Sequence, residues 1–260
     1  MDYLNKSKGF AQDVWKGESV MAGVLKIIAF VILIMFLVNF GKRLYTGYKK
    51  YSEGSPWILK GTKDAKKRMI LLQDPSRMGS KTLGRSENEY SGLEFSYAFW
   101  MYIDDWSYKY GQWKHVFHKG NSSSWPLRAP GVWLHPKKNA MRVYMNTFKN
   151  IGEHTDIHNL PLNKWFHVAV AVRQRYLDVY INGNLAKRHT LTSIPKQNFG
   201  DLYINAFRGF GGYLSNMRYY DYYITYSEMD SGLSNGPSSM PCIDSKETPP
   251  YFTPNWWANA

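Results

Sequence analysis

The chain has 260 residues and a formal net charge of +13, of which +12 lies after Phe40. That length holds one full hydrophobic core beyond a short appended segment. A single cysteine, Cys242, excludes an intrachain disulfide framework. The basic residues are spread along the chain, with no zinc-finger spacing and no basic helix, which argues against nucleic acid as the partner.

Residues 1–19 are mixed polar and aromatic and form an N-terminal flank. From Ile27 to Val38 every residue is apolar, and the run extends to Val20 and Phe40 with Lys26 near its start. About 20 such residues cross the ~30 Å hydrocarbon core of a bilayer, so residues 20–40 are expected to be a transmembrane helix. Ile27, Phe30, Ile34 and Val38 are the anchor residues facing lipid. The run starts late and ends without a small-residue cleavage site, which disfavours a signal peptide. Basic residues are denser after the span (Lys42, Arg43, Lys49, Lys50) than before it. The positive-inside rule then places the C-terminal domain on the cytoplasm-facing side of a single-pass protein.

Residues 41–56 read as a basic tether ending in Ser52-Glu53-Gly54-Ser55-Pro56. Short strands are expected at Trp57–Leu59 and Met69–Gln73, and an extended loop over 74–92. Phe95, Tyr97, Phe99, Met101 and Ile103 then alternate, the period of a half-buried strand. Trp113–His118 is a second strand, and Gly131–Leu134 pairs with Met141–Phe148. Trp165–Val172 presents Val168, Val170 and Val172 to the core, and Arg175–Ile181 presents Leu177, Val179 and Ile181. Asn182-Gly183 is a type I′ turn signal, because both central positions need positive φ. The chain returns through Leu185–Leu191, and Asp201–Asn205 and Tyr213–Tyr220 supply the last strands. Ile151–Asn159 reads as a loop, and no long helical period follows the membrane segment. Many short strands with Gly, Pro and Asn turns give a mainly β fold, a jelly-roll sandwich over residues 57–236. The tail, residues 237–260, is proline-bearing and carries Trp256 and Trp257. Rings of that size are costly to leave exposed, so the tail is expected to dock on its own domain or on a partner.

Three segments carry a resemblance. They are Phe95-Ser96-Tyr97-Ala98-Phe99-Trp100-Met101, then Trp165-Phe166-His167-Val168-Ala169-Val170 with Leu177 through Leu185, and Gly212 through Tyr220 with Ile224-Thr225 and Glu228. Together, over residues 93–230, they resemble the laminin G-like or concanavalin A-like lectin/glucanase superfamily. The resemblance implies a concanavalin A-like sandwich and raises sugar binding, glycan hydrolysis and calcium as questions. Hydrolases of that superfamily place paired acids on one strand face, and this chain has no Glu-x-Asp-x-x-Glu run, so enzyme activity is not expected. Calcium needs several oxygen ligands. Asp104, Asp105, Glu153, Asp156 and Asp201 are donors, but nothing in the sequence ties them together, and Ser215 stands where the family often has an acid. No cofactor is assigned.

Seven histidines invite a metal reading. His154 and His158 have helical ligand spacing without helical surroundings, and His115 and His118 are expected on opposite faces of a strand. No metal is assigned. Trp165 is expected to cap the start of its strand, with Asn182 and Gly183 forming the turn. His167 points away from the valines, and Arg218 pairs with a carboxylate or stacks on a ring. Trp106, Trp125, Trp133, Trp256 and Trp257 are candidate interface residues. Asn121-Ser122-Ser123 is a formal glycosylation triplet.

Two functions follow. One is a membrane-anchored structural protein that contacts a protein layer. Its layout resembles a minor capsid component bridging the internal membrane and the shell in the virion of a large eukaryotic DNA virus. The other is a membrane-bound, carbohydrate-binding module.

Overall fold

A computed structural model describes residues 20–86 and 92–242. The N-terminal flank, the five residues 87–91, and the tail from 243 with Trp256 and Trp257 lie outside the described residues. The chain divides into two compact units, 1–53 and 54–260.

In the first unit, helix α1 runs Val20–Gly54. Its apolar stretch, Gly23–Tyr45, is 23 residues, and none of it is buried against the protein. At 1.5 Å per residue this is about 35 Å of helix. Ile27, Phe30, Ile34 and Val38 are all exposed. A helix apolar on every side has no aqueous partner for its side chains. The stretch fits a membrane anchor or a signal sequence. The basic segment expected as a tether, 41–56, is helical through Gly54. Leu, Lys and Arg are good helix formers, and the first proline is Pro56.

The second unit is a sandwich of two antiparallel sheets. Its strands are β1 (Trp57–Asp64), β2 (Met69–Leu71), β3 (Glu94–Asp105), β4 (Lys114–Gly120), β5 (Arg128–Leu134) and β6 (Ala140–Tyr144). They continue with β7 (His154–His158), β8 (Trp165–Arg173), β9 (Tyr176–Ile181), β10 (Asn184–Thr190), β11 (Asp201–Ile204) and β12 (Gly211–Tyr220). A short helix, α2 (Tyr226–Asn235), follows. The first sheet has the order β1-β12-β3-β8-β9-β10, and the second β2-β11-β4-β5-β6-β7.

The core lies between the sheets. Phe95, Tyr97, Phe99, Met101 and Ile103 of β3 and Phe166, Val168, Val170 and Val172 of β8 face Phe117, Val132, Leu134, Met141, Val143 and Leu202 of the second sheet. Tyr97 and Tyr219 pack 5.0 Å apart inside it. The Tyr219 hydroxyl donates to the Gly84 carbonyl at 2.7 Å, so this phenol enters the core with its polar end satisfied.

Two expectations change. Ile151–Asn159 is not a loop, since His154–His158 forms edge strand β7. It pairs with β6 along its whole length, with Thr155 and Ile157 pointing inward and His154, Asp156 and His158 outward. Helix α2 was not visible as a long period, yet its start is written in Thr225 and Glu228. The Thr225 side chain accepts from the Glu228 backbone, and the Glu228 carboxylate accepts from the Thr225 N–H at 2.9 Å, a reciprocal capping box.

The outer faces of the two sheets differ. On the first, Ala98, Ala169 and Ala171 pack with Tyr220, Ile224 and Met229, so the residues around α2 cover it. Small side chains in the middle strands let that layer approach closely. Trp100 Nε1 donates to the Gly232 carbonyl of α2 at 3.2 Å. His167 does point away from the valines, beside Trp100, and burial pushes its imidazole down to about 4. The start of the tail docks on this unit. The Cys242 N–H donates to the Thr62 carbonyl and the Thr62 N–H donates to the Met240 carbonyl. Ser215 Oγ sits between Thr62 Oγ1 and the Ser238 N–H, 2.9 Å from each.

Candidate functional site

The outer face of the second sheet carries the unusual chemistry. Its cross-strand rows follow from register. Tyr203 lies opposite His118, His118 opposite Gly131, Gly131 opposite Tyr144, and Tyr144 opposite His154. One step along, His115 lies opposite Trp133, Trp133 opposite Arg142, and Arg142 opposite Asp156.

His115 and His118 share this face, against expectation. Two residues of β4 (His115 to Phe117) match one of β5 (Trp133 to Val132), so Val116 is an extra, bulged residue. The bulge resets the alternation, and His115 Nε2 comes within 2.7 Å of His118 Nδ1. His118 Nε2 faces the Asn121 carbonyl at 2.7 Å. A carbonyl only accepts, so Nε2 carries the proton, Nδ1 accepts, and His115 Nε2 donates to it. Both rings are neutral. Burial pushes His118 down to about 4 and His115 well below its usual range. Tyr203 stacks on His118 at 4.9 Å, and Trp133 meets His115 edge-on at 4.4 Å. Phe207 lies over Trp133 at 5.6 Å.

Beside this cluster is an arginine–aromatic array. The Arg142 guanidinium forks onto Asp156 at 2.6 and 2.7 Å and sits 4.9 Å over Trp113. The Arg128 guanidinium lies 3.5 Å from the Tyr144 ring centre and 5.4 Å from that of Trp125. Asn146, fully buried, holds the segment that carries both. Its Oδ1 accepts from the Arg128 N–H at 2.6 Å and its Nδ2 donates to the Pro126 carbonyl at 3.0 Å. That segment contains two cis prolyl bonds, Trp125–Pro126 and Ala129–Pro130.

The Tyr203 end of the face opens into a cleft of about 830 Å³ lined by Arg85, Lys119, Asn121, Ser122, Phe199 and Asp201 among others. Phe199 is largely exposed, with Arg85 4.6 Å over its ring. At its base the Lys119 ammonium donates to the Asn198 and Gly200 carbonyls, each at 2.8 Å. Burial pushes that amine down to about 8.

The sequence candidates divide accordingly. Trp125 is half-exposed and sits on the face. Trp133 is in strand β5 and is only 8% exposed, roofed by Phe207. Buried that far, it supports the face instead of presenting an edge. Trp106 packs against the core with Lys114 5.1 Å over its ring. Trp165 leans on Tyr102 at 5.5 Å. Asn182 and Gly183 take φ of 49° and 78°, the turn expected of them. Arg218 stacks between Trp57 and Tyr220 and donates to Ser55.

The candidate oxygen donors are dispersed. Asp105 holds Ser107 and the Tyr108 N–H, Glu153 holds Thr192 and Thr147, Asp156 holds Arg142, and Asp201 accepts from the Gln73 N–H. Among the described residues no three His, Cys, Asp or Glu side chains are grouped to hold a metal ion. Sequence reading missed Arg128, Tyr144 and Phe207. Arg128 shows no sequence signal, while Tyr144 is legible as the outward alternate of Val143 and Met145.

A family model described as the concanavalin A-like lectin/glucanases superfamily matches residues 80–229. The chain belongs to this superfamily. No curated protein matches it. Similar solved structures include the receptor binding domain of botulinum neurotoxin C/D mosaic serotype, at 12% identity and TM-score 0.43 over 55% of this chain and 36% of that one. The botulinum neurotoxin serotype D binding domain is 11% identical with TM-score 0.47, over 72% and 52%. The binding domain of botulinum neurotoxin DC in complex with SialylT is 14% identical with TM-score 0.43, over 55% and 35%. The concanavalin A-like chain thus spans about a third to a half of the length of these structures.

Proposed function

We propose that this protein is a membrane-anchored carbohydrate-binding module, with a saccharide lying across the outer face of the second sheet. The observation that carries the reading is the contrast between the two outer faces. One is covered by α2 and its neighbours. The other sets partly exposed rings (Trp125, Phe207, Tyr144, Tyr203) beside the Arg128 and Arg142 guanidinium groups. Sugar rings stack their apolar faces on aromatic rings while their hydroxyls meet polar groups at the rim, the usual division of labour in ligand sites. Asp156 on this face is held by Arg142, which keeps that guanidinium in place across the sheet.

Titration of the detergent-solubilised protein with oligosaccharides, followed by tryptophan fluorescence, tests the reading. Binding weakened about tenfold in Trp125→Ala supports it. A flat response to every saccharide sinks it. The lipid bilayer is the partner of α1. A saccharide partner requires the domain to be accessible outside the membrane, opposite to the side given by the basic flank. Protease accessibility in intact cells decides between them.

The second reading is a bridge to a protein layer, including the shell of a virion. Phe148 and Ile194 favour it, since both are more than half exposed and their backbones are hydrogen-bonded at 3.2 Å, making an apolar pair at the surface. It predicts a protease-protected domain that cross-links to repeated shell subunits, and weaker retention of them after removal of residues 251–260.

A further inference from the structure

We propose that Arg128 recognises an anionic group, a carboxylate or a sulfate, on the saccharide that crosses the second sheet. The inference rests on the carbohydrate reading and adds the ligand class.

Three arginines of this domain are matched to carboxylates. Arg142 forks onto Asp156, Arg188 forks onto Asp178 at 2.7 Å, and Arg173 lies 3.0 Å from Glu94. Arg128 forms no ion pair among the described residues, and its Nε is buried without a hydrogen-bond partner. Burial disfavours its charge; the Tyr144 hydroxyl offsets part of this, and the Arg142 charge nearby adds to it. A guanidinium in that position gains from an incoming anion, which accepts charge-assisted hydrogen bonds in a fork.

The surroundings hold it in place. Gly131 lies beneath it, and a Cβ there would come 3.2 Å from Arg128 Cβ and 3.6 Å from Cδ. The absent side chain leaves room for the arginine to lie across the sheet onto Tyr144. Trp125, 52% exposed, flanks it on the solvent side. A cation fixed between an exposed indole and a phenol supplies both contacts that an acidic sugar presents, an apolar ring face and a charge.

The test uses the full-length protein in detergent and matched pairs of saccharides. These are oligogalacturonate against its methyl ester, hyaluronan fragments against their methyl ester, and carrageenan oligosaccharides against their desulfated form. The first two pairs report on carboxylate and the third on sulfate. The expected result is about tenfold tighter binding of the charged member of at least one pair. That preference disappears in Arg128→Gln and persists in Lys187→Gln, which removes the same charge from exposed strand β10. Arg128→Lys keeps the charge but not the fork, and retains only part of the preference. Equal binding of charged and neutral members by the unsubstituted protein overturns the inference and leaves the carbohydrate reading standing. Equal losses in Arg128→Gln and Lys187→Gln overturn it in favour of general attraction to a basic protein. Failure of every saccharide to bind overturns both readings.

Discussion

One extra residue, Val116, turns His115 and His118 onto the same face and so assembles the centre of the second sheet's outer surface. The pair is neutral in the fold, and its titration gives a signed prediction. The ordinary imidazole value is about 6.5, and His118 and His167 are both pushed down to about 4 by burial. As pH falls, the unfolded chain takes up these protons first, so stability is full above about 6.5 and is lost progressively towards 4. A melting temperature that drops over this window checks the sign, and His167→Phe should flatten the slope. A melting curve insensitive to pH between 7 and 4 contradicts it. Close backbone packing gives a second prediction. Gly209 has φ +52°, and a Cβ there would lie 1.8 Å from the Ala65 carbonyl oxygen. Gly209→Ala should cost more than about 2 kcal/mol in urea unfolding, because the obstacle is backbone and cannot rotate away.

Helix α2 and the β9–β10 hairpin are small elements with large consequences, because together with their neighbours they decide which outer face stays open. Thr225→Ala removes one half of the capping box and should lower stability by about 1 kcal/mol. The same substitution should increase hydrogen exchange in 226–235 before the sheets respond. In the hairpin, Gly183 combines φ +78° with a Cβ position 2.9 Å from Leu233 Cδ1 of α2. Gly183→Val therefore strains a turn and pushes on the helix that covers the first sheet. A loss of about 1–2 kcal/mol is expected, read from the denaturation midpoint. At this scale the strands were legible, since the large apolar residues of β3, β8 and β9 alternate and point into the core between the sheets. Edge strand β7 was not, because its outward residues are His154, Asp156 and His158 and only Thr155 and Ile157 mark the inner face.

The protein as a whole joins two units, one of them an apolar helix that fits a membrane anchor or a signal sequence. An apolar helix with no covered face and a sandwich with a complete core are expected to behave independently. A chain lacking residues 1–45 should be soluble and keep the melting temperature of the domain. The full chain should resist extraction from membranes by alkaline carbonate. Release of the intact chain by carbonate would remove the anchor from the account.

The sequence by itself determined the anchor-like helix, the two-sheet fold and its superfamily, the inward valines of β8 and the Asn182-Gly183 turn. These features repeat over neighbouring residues, so periodicity and local turn chemistry reveal them. Tertiary structure alone decided that Arg128, Tyr144 and Trp125 meet, that Trp133 is roofed by Phe207, and that His115 touches His118. The physical reason is distance along the chain. Arg128 and Tyr144 meet because β5 pairs with β6 in one register, Phe207 arrives from beyond β11, and a single bulged residue reverses the face that alternation assigns.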